Sequence, residues 1–283
     1  MQIFKNLAVP GLDEIPMATD VLLKMNGIPK PVLIYAHGFN GFKDWGNFDL
    51  LATQAAEIGF AFVKFNFSHN GTNMEHPQEF VNLEAYAENN YTTELFDLGK
   101  IVDWVENNER FKAEFDTSRI GLIGHSLGGG IAILYAAEDA RIKALTTWAA
   151  IAQCQTPWAT WPESRIEKWK ETGVDYILNS RTNQEMPLHY RLYENFQKNQ
   201  QRLDIFAAIS ALEIPVLICH GTNDASVPFV SAEALLHAQP NAALFAVQSD
   251  HVFGRKHPWT EAEPPLPMQQ VMDETLRFFK RKL

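Results

Sequence analysis

Apolar residues fall along this chain in two patterns. Short, mostly apolar runs occupy residues 32–36, 60–67, 120–123, 144–151, 214–221 and 242–247. Runs of this kind suit strands buried on both faces of a parallel sheet. Between them, apolar positions recur at helical spacing. Residues 45–58, 91–109, 127–138, 229–237 and 268–282 read as helices. Leu95, Leu98, Val102 and Val105 mark the stripe of the second, and Leu127, Ile131, Leu134 and Tyr135 that of the third. Strand and helix alternate, so the expected fold class is α/β, with a mostly parallel, doubly wound sheet in a single domain over residues 1–283.

Three stretches depart from the alternation. Residues 2–35 read as strands and turns, with a strand near 17–25 and a hairpin turn at Asn26-Gly27. Residues 72–90 are polar and loop-like. Residues 152–210 mix Trp158, Trp161, Trp169 and several tyrosines with charges and amides. That segment is expected to be a helical insertion of short helices and loops. It leaves from the carboxyl end of a strand, where ligands sit in open α/β sheets. Trp158 and Trp161 are therefore candidates for the wall of a substrate pocket, and packing within the insertion itself is the plainer role.

Composition narrows the function classes. With 283 residues the chain is long enough for a large core. A formal net charge of -10 argues against nucleic acid or an anionic membrane surface as partner. No apolar run reaches membrane-spanning length. The amino terminus lacks the apolar core of a signal peptide, so a soluble, cytoplasmic protein is expected. The two cysteines, Cys154 and Cys219, make no disulfide framework, and Cys219 reads as a small core residue. His69 and His76 flank Glu75 at a spacing that matches no zinc motif, so they are expected to be solvated loop residues, with no metal.

The stretch 120–135 carries the strongest chemical pattern. A buried strand runs into Gly124-His125-Ser126-Leu127-Gly128, and a helix follows. In this setting G-x-S-x-G forms a sharp turn with the serine at its tip. Gly124 and Gly128 would let the two arms approach closely, and Ser126 would sit at the positive end of the helix. A serine hydroxyl needs a base, and the base needs a carboxylate to fix its tautomer. Asp224 and His251 follow Ser126 in the chain order of such hydrolases, each just after an apolar run. His251 is preferred as base over His125, His220 and His257 because it alone lies immediately after the last strand. Asp224 is preferred over Asp250, which adjoins the base. The Gly-rich loop 37–45 follows another strand, and the backbone N–H of Phe39 is a candidate donor to an oxyanion.

On these residues the chain resembles the α/β-hydrolase superfamily. The resemblance rests on His37-Gly38-Phe39, Gly124-His125-Ser126-Leu127-Gly128-Gly129, Gly221-Thr222-Asn223-Asp224 with Val227-Pro228, and Asp250-His251. It covers nearly the whole chain outside 152–210, and looks most similar to small bacterial esterases of the dienelactone-hydrolase-like and feruloyl-esterase-like branch. It implies an eight-stranded, mostly parallel sheet, and an oxyanion hole from the N–H groups of Leu127 and Phe39. Dienelactone hydrolases proper use a cysteine where Ser126 stands. The triple-glycine loop of hormone-sensitive-lipase-like esterases is absent. The expected activity is hydrolysis of a small-molecule carboxylic ester with a small or aromatic acyl group, without metal or cofactor. An acyl-thioesterase or peptidase with the same residues is the nearest rival, and a non-catalytic small-molecule-binding protein is a more distant one.

Overall fold

The apolar runs become the centre of one eight-stranded sheet. The computed structural model describes all of residues 1–283. In chain order, β1 (Gln2–Pro10), β2 (Pro16–Leu23) and β3 (Lys30–Ala36) precede α1 (Phe48–Glu57). Next come β4 (Ala61–Phe65), α2 (Leu83–Glu88), α3 (Tyr91–Asn107), β5 (Phe115–His125), α4 (Leu127–Glu138) and β6 (Ile142–Trp148). The segment that follows holds α5 (Glu163–Thr172), β7 (Val174–Asn179), β8 (Gln184–His189), α6 (Arg191–Lys198) and α7 (Ile205–Ser210). The chain closes with β9 (Val216–Gly221), α8 (Val230–Ala238), β10 (Ala243–Val247) and α9 (Leu266–Lys282).

The large sheet has the order β1-β2-β4-β3-β5-β6-β9-β10. β2 pairs antiparallel with β1 and β4, and every pair from β4 to β10 is parallel. Helices α1 and α9 cover one face, and α3, α4 and α8 the other. A parallel sheet covered on both faces explains why the centres of β3 and β9 read as apolar runs. Because the strands are parallel, the carboxyl ends of β3, β5, β6, β9 and β10 all emerge on one edge. No helix is long and apolar enough to cross a membrane.

The fold class is as expected, and four local readings are corrected. Asn26-Gly27 turns the chain, with Gly27 at φ 72°, but it does not join neighbouring strands. β3 has β4 and β5 on its two edges, so no edge is left for β2. The turn is held instead by Glu114, whose carboxylate accepts from the Gly27 N–H at 2.8 Å. The polar stretch 72–90 contains α2, started by the Asn82 side chain, which accepts from Ala85 N–H at 3.1 Å. The 152–210 segment is not only helices and loops. β7 and β8 form an antiparallel hairpin, with Met186 and Leu188 buried and Tyr176 and Leu178 exposed. Lastly, His69 is buried rather than solvated, with its Nδ1 at 2.7 Å from Ser68 Oγ, whereas His76 stays exposed beside Glu79.

Candidate active site

Ser126 sits between β5 and α4 with φ 57° and ψ −119°. A non-glycine residue there carries about 1–3 kcal/mol of strain. The surroundings hold it in place: Ser126 N–H donates to Trp148 O on β6 at 2.8 Å, and its carbonyl accepts from Gly129 N–H at 3.0 Å. The glycines permit the turn. A Cβ on Gly124 would lie 2.3 Å from Gly128 O, and one on Gly128 would lie 2.3 Å from His37 O. Larger residues at either position would drive α4 off the sheet.

The loops after β9 and β10 bring Asp224 and His251 to the same place. His251 Nδ1–H donates to Asp224 Oδ2 at 2.7 Å, and its Nε2 accepts from the Ser126 hydroxyl at 3.0 Å. The tautomer follows from Asp224, because an ionised carboxylate only accepts. The second oxygen of Asp224 accepts from Ser226 and Val227 N–H, both at 2.8 Å. Burial alone would raise the Asp224 carboxyl. Hydrogen bonds from His220 and His251, with the charge of His251 and the Val227 N–H, hold it well below the usual carboxylate range. His220, not the expected base, has its Nε2 2.8 Å from Val227 O and 3.3 Å from Asp224 Oδ2. It braces the Asp224 turn. His257 packs instead on Phe42 and Trp45, and accepts from Gly46 N–H at 3.1 Å.

The loop after β3 supplies the facing wall. Neither the Phe39 N–H nor the Leu127 N–H donates to a protein acceptor. His37 fixes this loop: its Nδ1–H donates to Gly38 O at 2.9 Å and its Nε2 accepts from Phe67 N–H at 3.3 Å. Burial pushes His37 down to about 4, which keeps the ring neutral and able to serve both bonds. Further along, Lys43 Nζ reaches Asp20 at 2.8 Å and Asp44 at 2.7 Å, while Lys64 joins Asp20, Asp44 and Asp49. Three carboxylates lie close enough to suggest a metal cluster. Two buried ammonium groups already sit among them and Lys5 pairs with the exposed Asp49 at 3.2 Å, so the three carboxylates are matched by three lysines of the protein itself.

A cleft of about 80 Å³ opens over Ser126 and His251, and Tyr35, Phe39, Trp45 and Arg181 line it. Trp158 and Trp161 do not. Trp158 packs on Tyr91, Trp169, Tyr193 and Phe196, and Trp161 on Trp169, so both serve the core of the 152–210 segment. The residue that this segment does send to the cleft is Arg181, from the β7–β8 turn, which donates to Asn40 O. Behind the cleft lies Arg255, 4% exposed, whose guanidinium faces the rings of Phe48 at 4.5 Å and Trp45 at 5.3 Å. Burial pushes it down to about 10 against the opposing pull of the Tyr35 hydroxyl beside it, and neither Nη makes a well-formed hydrogen bond. Sequence reasoning missed both arginines. A faint signal existed for Arg255 alone, which follows His251 by four residues.

Comparison with known proteins places this geometry in a family. A family model described as the alpha/beta hydrolase fold matches residues 31–174, about half of the chain. An uncharacterized 31.7 kDa protein from the traX-finO intergenic region of Escherichia coli is 30% identical over 125 residues, 44% of this chain and 39% of that protein. The 2,6-dihydropseudooxynicotine hydrolase of Paenarthrobacter nicotinovorans is 24% identical over 229 residues, 81% of this chain and 53% of that enzyme. The chain thus spans about half or less of the curated relatives it matches. Among solved structures, Est1E from Butyrivibrio proteoclasticus with ferulic acid bound superposes with a TM-score of 0.68 at 19% identity, over 98% of this chain and 99% of that one.

Proposed function

The chain belongs to the alpha/beta hydrolase fold family, and from that membership we propose that it is a serine hydrolase cleaving a small-molecule carboxylic ester. The observation that carries this reading is the continuous relay from Ser126 Oγ through His251 to Asp224, at 3.0 Å and 2.7 Å. Ser126 Oγ attacks the ester carbonyl while His251 Nε2 takes its proton. Asp224 holds the imidazolium that forms. The oxyanion lies between the Phe39 and Leu127 N–H groups, each worth about 3 kcal/mol to the transition state. His251 then returns the proton to the leaving alcohol. Water, activated by the same histidine, releases the acid from Ser126. The sequence of steps calls on no metal and no organic cofactor.

The leaving alcohol must stand next to His251 to receive its proton. It therefore occupies the cleft lined by Tyr35, Trp45 and Arg181. Residues 152–210 act as a cap on the single domain, reaching the cleft through Arg181. The modest size of that cleft favours a small leaving alcohol, and our reading of the acyl part is a small or aromatic group. The structural relative with ferulic acid bound supports the same class. The test is labelling with a fluorophosphonate probe together with turnover of p-nitrophenyl acetate. Wild type labels and turns over, and Ser126→Ala does neither while remaining folded by circular dichroism. Retention of most turnover in Ser126→Ala would sink the assignment. Thioester or anilide turnover exceeding that of the ester would move the reading to a thioesterase or peptidase.

A further inference from the structure

Phe39 carries its N–H on a four-residue turn. Gly41 N–H donates to Gly38 O at 3.0 Å and closes residues 38–41. His37 Nδ1–H reaches the same oxygen at 2.9 Å. A backbone oxygen and the N–H that follows it are the two ends of one planar peptide unit. Whatever holds Gly38 O therefore aims the Phe39 N–H.

The turn depends on Asn40, its third residue, which has φ 53°. A turn of this hand needs positive φ at that position, and glycine or asparagine meets the need best. A residue with a side chain is still disfavoured there. Were Asn40 to leave this conformation, the peptide between Phe39 and Asn40 would turn over. The Phe39 end of the turn would shift with it.

Two side chains clasp Asn40. Arg181 Nη2–H donates to its backbone oxygen, and the Tyr86 hydroxyl donates to its Oδ1. Both lead back to the β7–β8 hairpin. Arg181 lies in the hairpin turn, which is itself ordered: Asn179 Oδ1 accepts from Arg181 N–H at 3.1 Å, and Asn179 O accepts from Asn183 N–H at 2.8 Å. The Arg181 guanidinium lies over the Trp45 ring at 5.3 Å. Tyr86 lies on α2, which packs on β8. Glu88 ties α2 to the end of the hairpin, with His189 Nδ1 at 2.8 Å from its Oε1 and Arg191 Nη1 donating to its Oε2 at 3.2 Å. Gln184, at the start of β8, donates to Phe80 O at 3.0 Å.

We propose that Arg181 and Tyr86 are positioning residues for the oxyanion: by clasping Asn40 they hold the turn that aims the Phe39 N–H. The proposal rests on the serine-hydrolase reading. It gives the 152–210 segment a part in the rate as well as in the shape of the cleft. An oxyanion forms twice in each turnover, once as Ser126 is acylated and once as water releases the acid. The Phe39 N–H is needed both times, whereas the leaving alcohol is present only in the first. A residue that acts through Phe39 therefore affects both steps.

The test is rapid-mixing kinetics with p-nitrophenyl acetate, in which the burst of p-nitrophenol reports acylation and the steady rate reports deacylation. Arg181→Met is expected to slow both steps by about tenfold or more, since a small misplacement of a catalytic group is enough. KM changes little, because the two rates fall together. Tyr86→Phe keeps the ring and loses only the bond to Asn40, and it is expected to slow the same two steps. Arg181 is exposed and Tyr86→Phe is nearly isosteric, so both variants keep the fold, which circular dichroism checks. A loss confined to acylation overturns the proposal and assigns Arg181 to the leaving alcohol. Rates equal to wild type in either variant also overturn it, as does a rise in KM with both rates unchanged. No release of p-nitrophenol by wild type sinks the serine-hydrolase reading and this one with it.

Discussion

His125 Nε2 lies 3.0 Å from the backbone oxygen of His251. The residue next to Ser126 in sequence thus braces the loop that carries the histidine partner of Ser126. Burial, with the nearby charges of His251 and Arg255, holds His125 well below the usual histidine range, so the ring is neutral and its Nε2–H donates. Removing this donor would leave a carbonyl unpaired, at about 1–3 kcal/mol, and free the loop to drift. His125→Leu is expected to lower kcat by about tenfold or more with KM little changed, because the misplacement acts on the proton transfer. Fluorophosphonate labelling rates should fall in parallel. Labelling and kcat equal to wild type would reduce His125 to a space-filling role.

Asp224→Asn tests the carboxylate from the opposite side. An amide can donate to His251 Nδ1, which forces the proton onto Nε2 and blocks acceptance from Ser126. The expected loss in kcat is about 10⁴-fold, with the fold intact. Steady-state kinetics beside a thermal melt would check it. A loss of less than tenfold would place the orienting carboxylate elsewhere.

Gly128→Ala should damage the fold before the chemistry. The added methyl would stand 2.3 Å from His37 O and 2.5 Å from Ala36 O, both rigid backbone atoms. Overpacking of this kind costs about 3 kcal/mol or more. Urea denaturation should show the midpoint falling accordingly, and an unchanged midpoint would contradict the close approach of α4 to β3.

Stability should depend on pH through two buried groups of opposite sense. Burial lowers His37 from the ordinary 6.5 to about 4, so between those values the unfolded chain binds the extra proton. Its contribution is complete above 6.5 and is lost as pH falls towards 4. Glu94 is raised from 4.5 to about 8, so there the folded chain binds the extra proton. Its contribution is complete below 4.5 and is lost as pH rises through about 8. Glu94→Gln, which stays neutral, should therefore gain on wild type between pH 5 and pH 8.5, by about 2 kcal/mol or more. Denaturant melts at the two pH values decide it, and a difference that does not change with pH would mean that Glu94 does not titrate with folding.

Much of the framework is legible in the sequence. The runs at 32–36, 120–123 and 214–221 read as parallel strands because burial on both faces leaves no polar alternation. Ser126, Asp224 and His251 could be named together because each follows such a run, and a parallel sheet sends those ends to one edge. Other features were not legible. Asn26-Gly27 carries a strong local hairpin signal, yet β2 pairs with β4, because strand neighbours are chosen by the whole sheet. Trp158 and Trp161 looked available to a ligand, but whether an aromatic ring faces a pocket or its own core depends on what folds over it.

What the sequence determined by itself was therefore local and periodic: the strand ends, the glycine-lined turn at Ser126, and the order of the three polar residues. These follow from sterics and burial acting over a few residues at a time. Only the tertiary structure decided that Arg181 reaches the cleft, that Arg255 is buried without a well-formed hydrogen bond at either Nη, and that Glu94 keeps one oxygen unpaired beside Leu127. An arginine or glutamate on a polar face looks the same in sequence whether it is solvated or enclosed. Its chemistry is set by neighbours that come from distant parts of the chain.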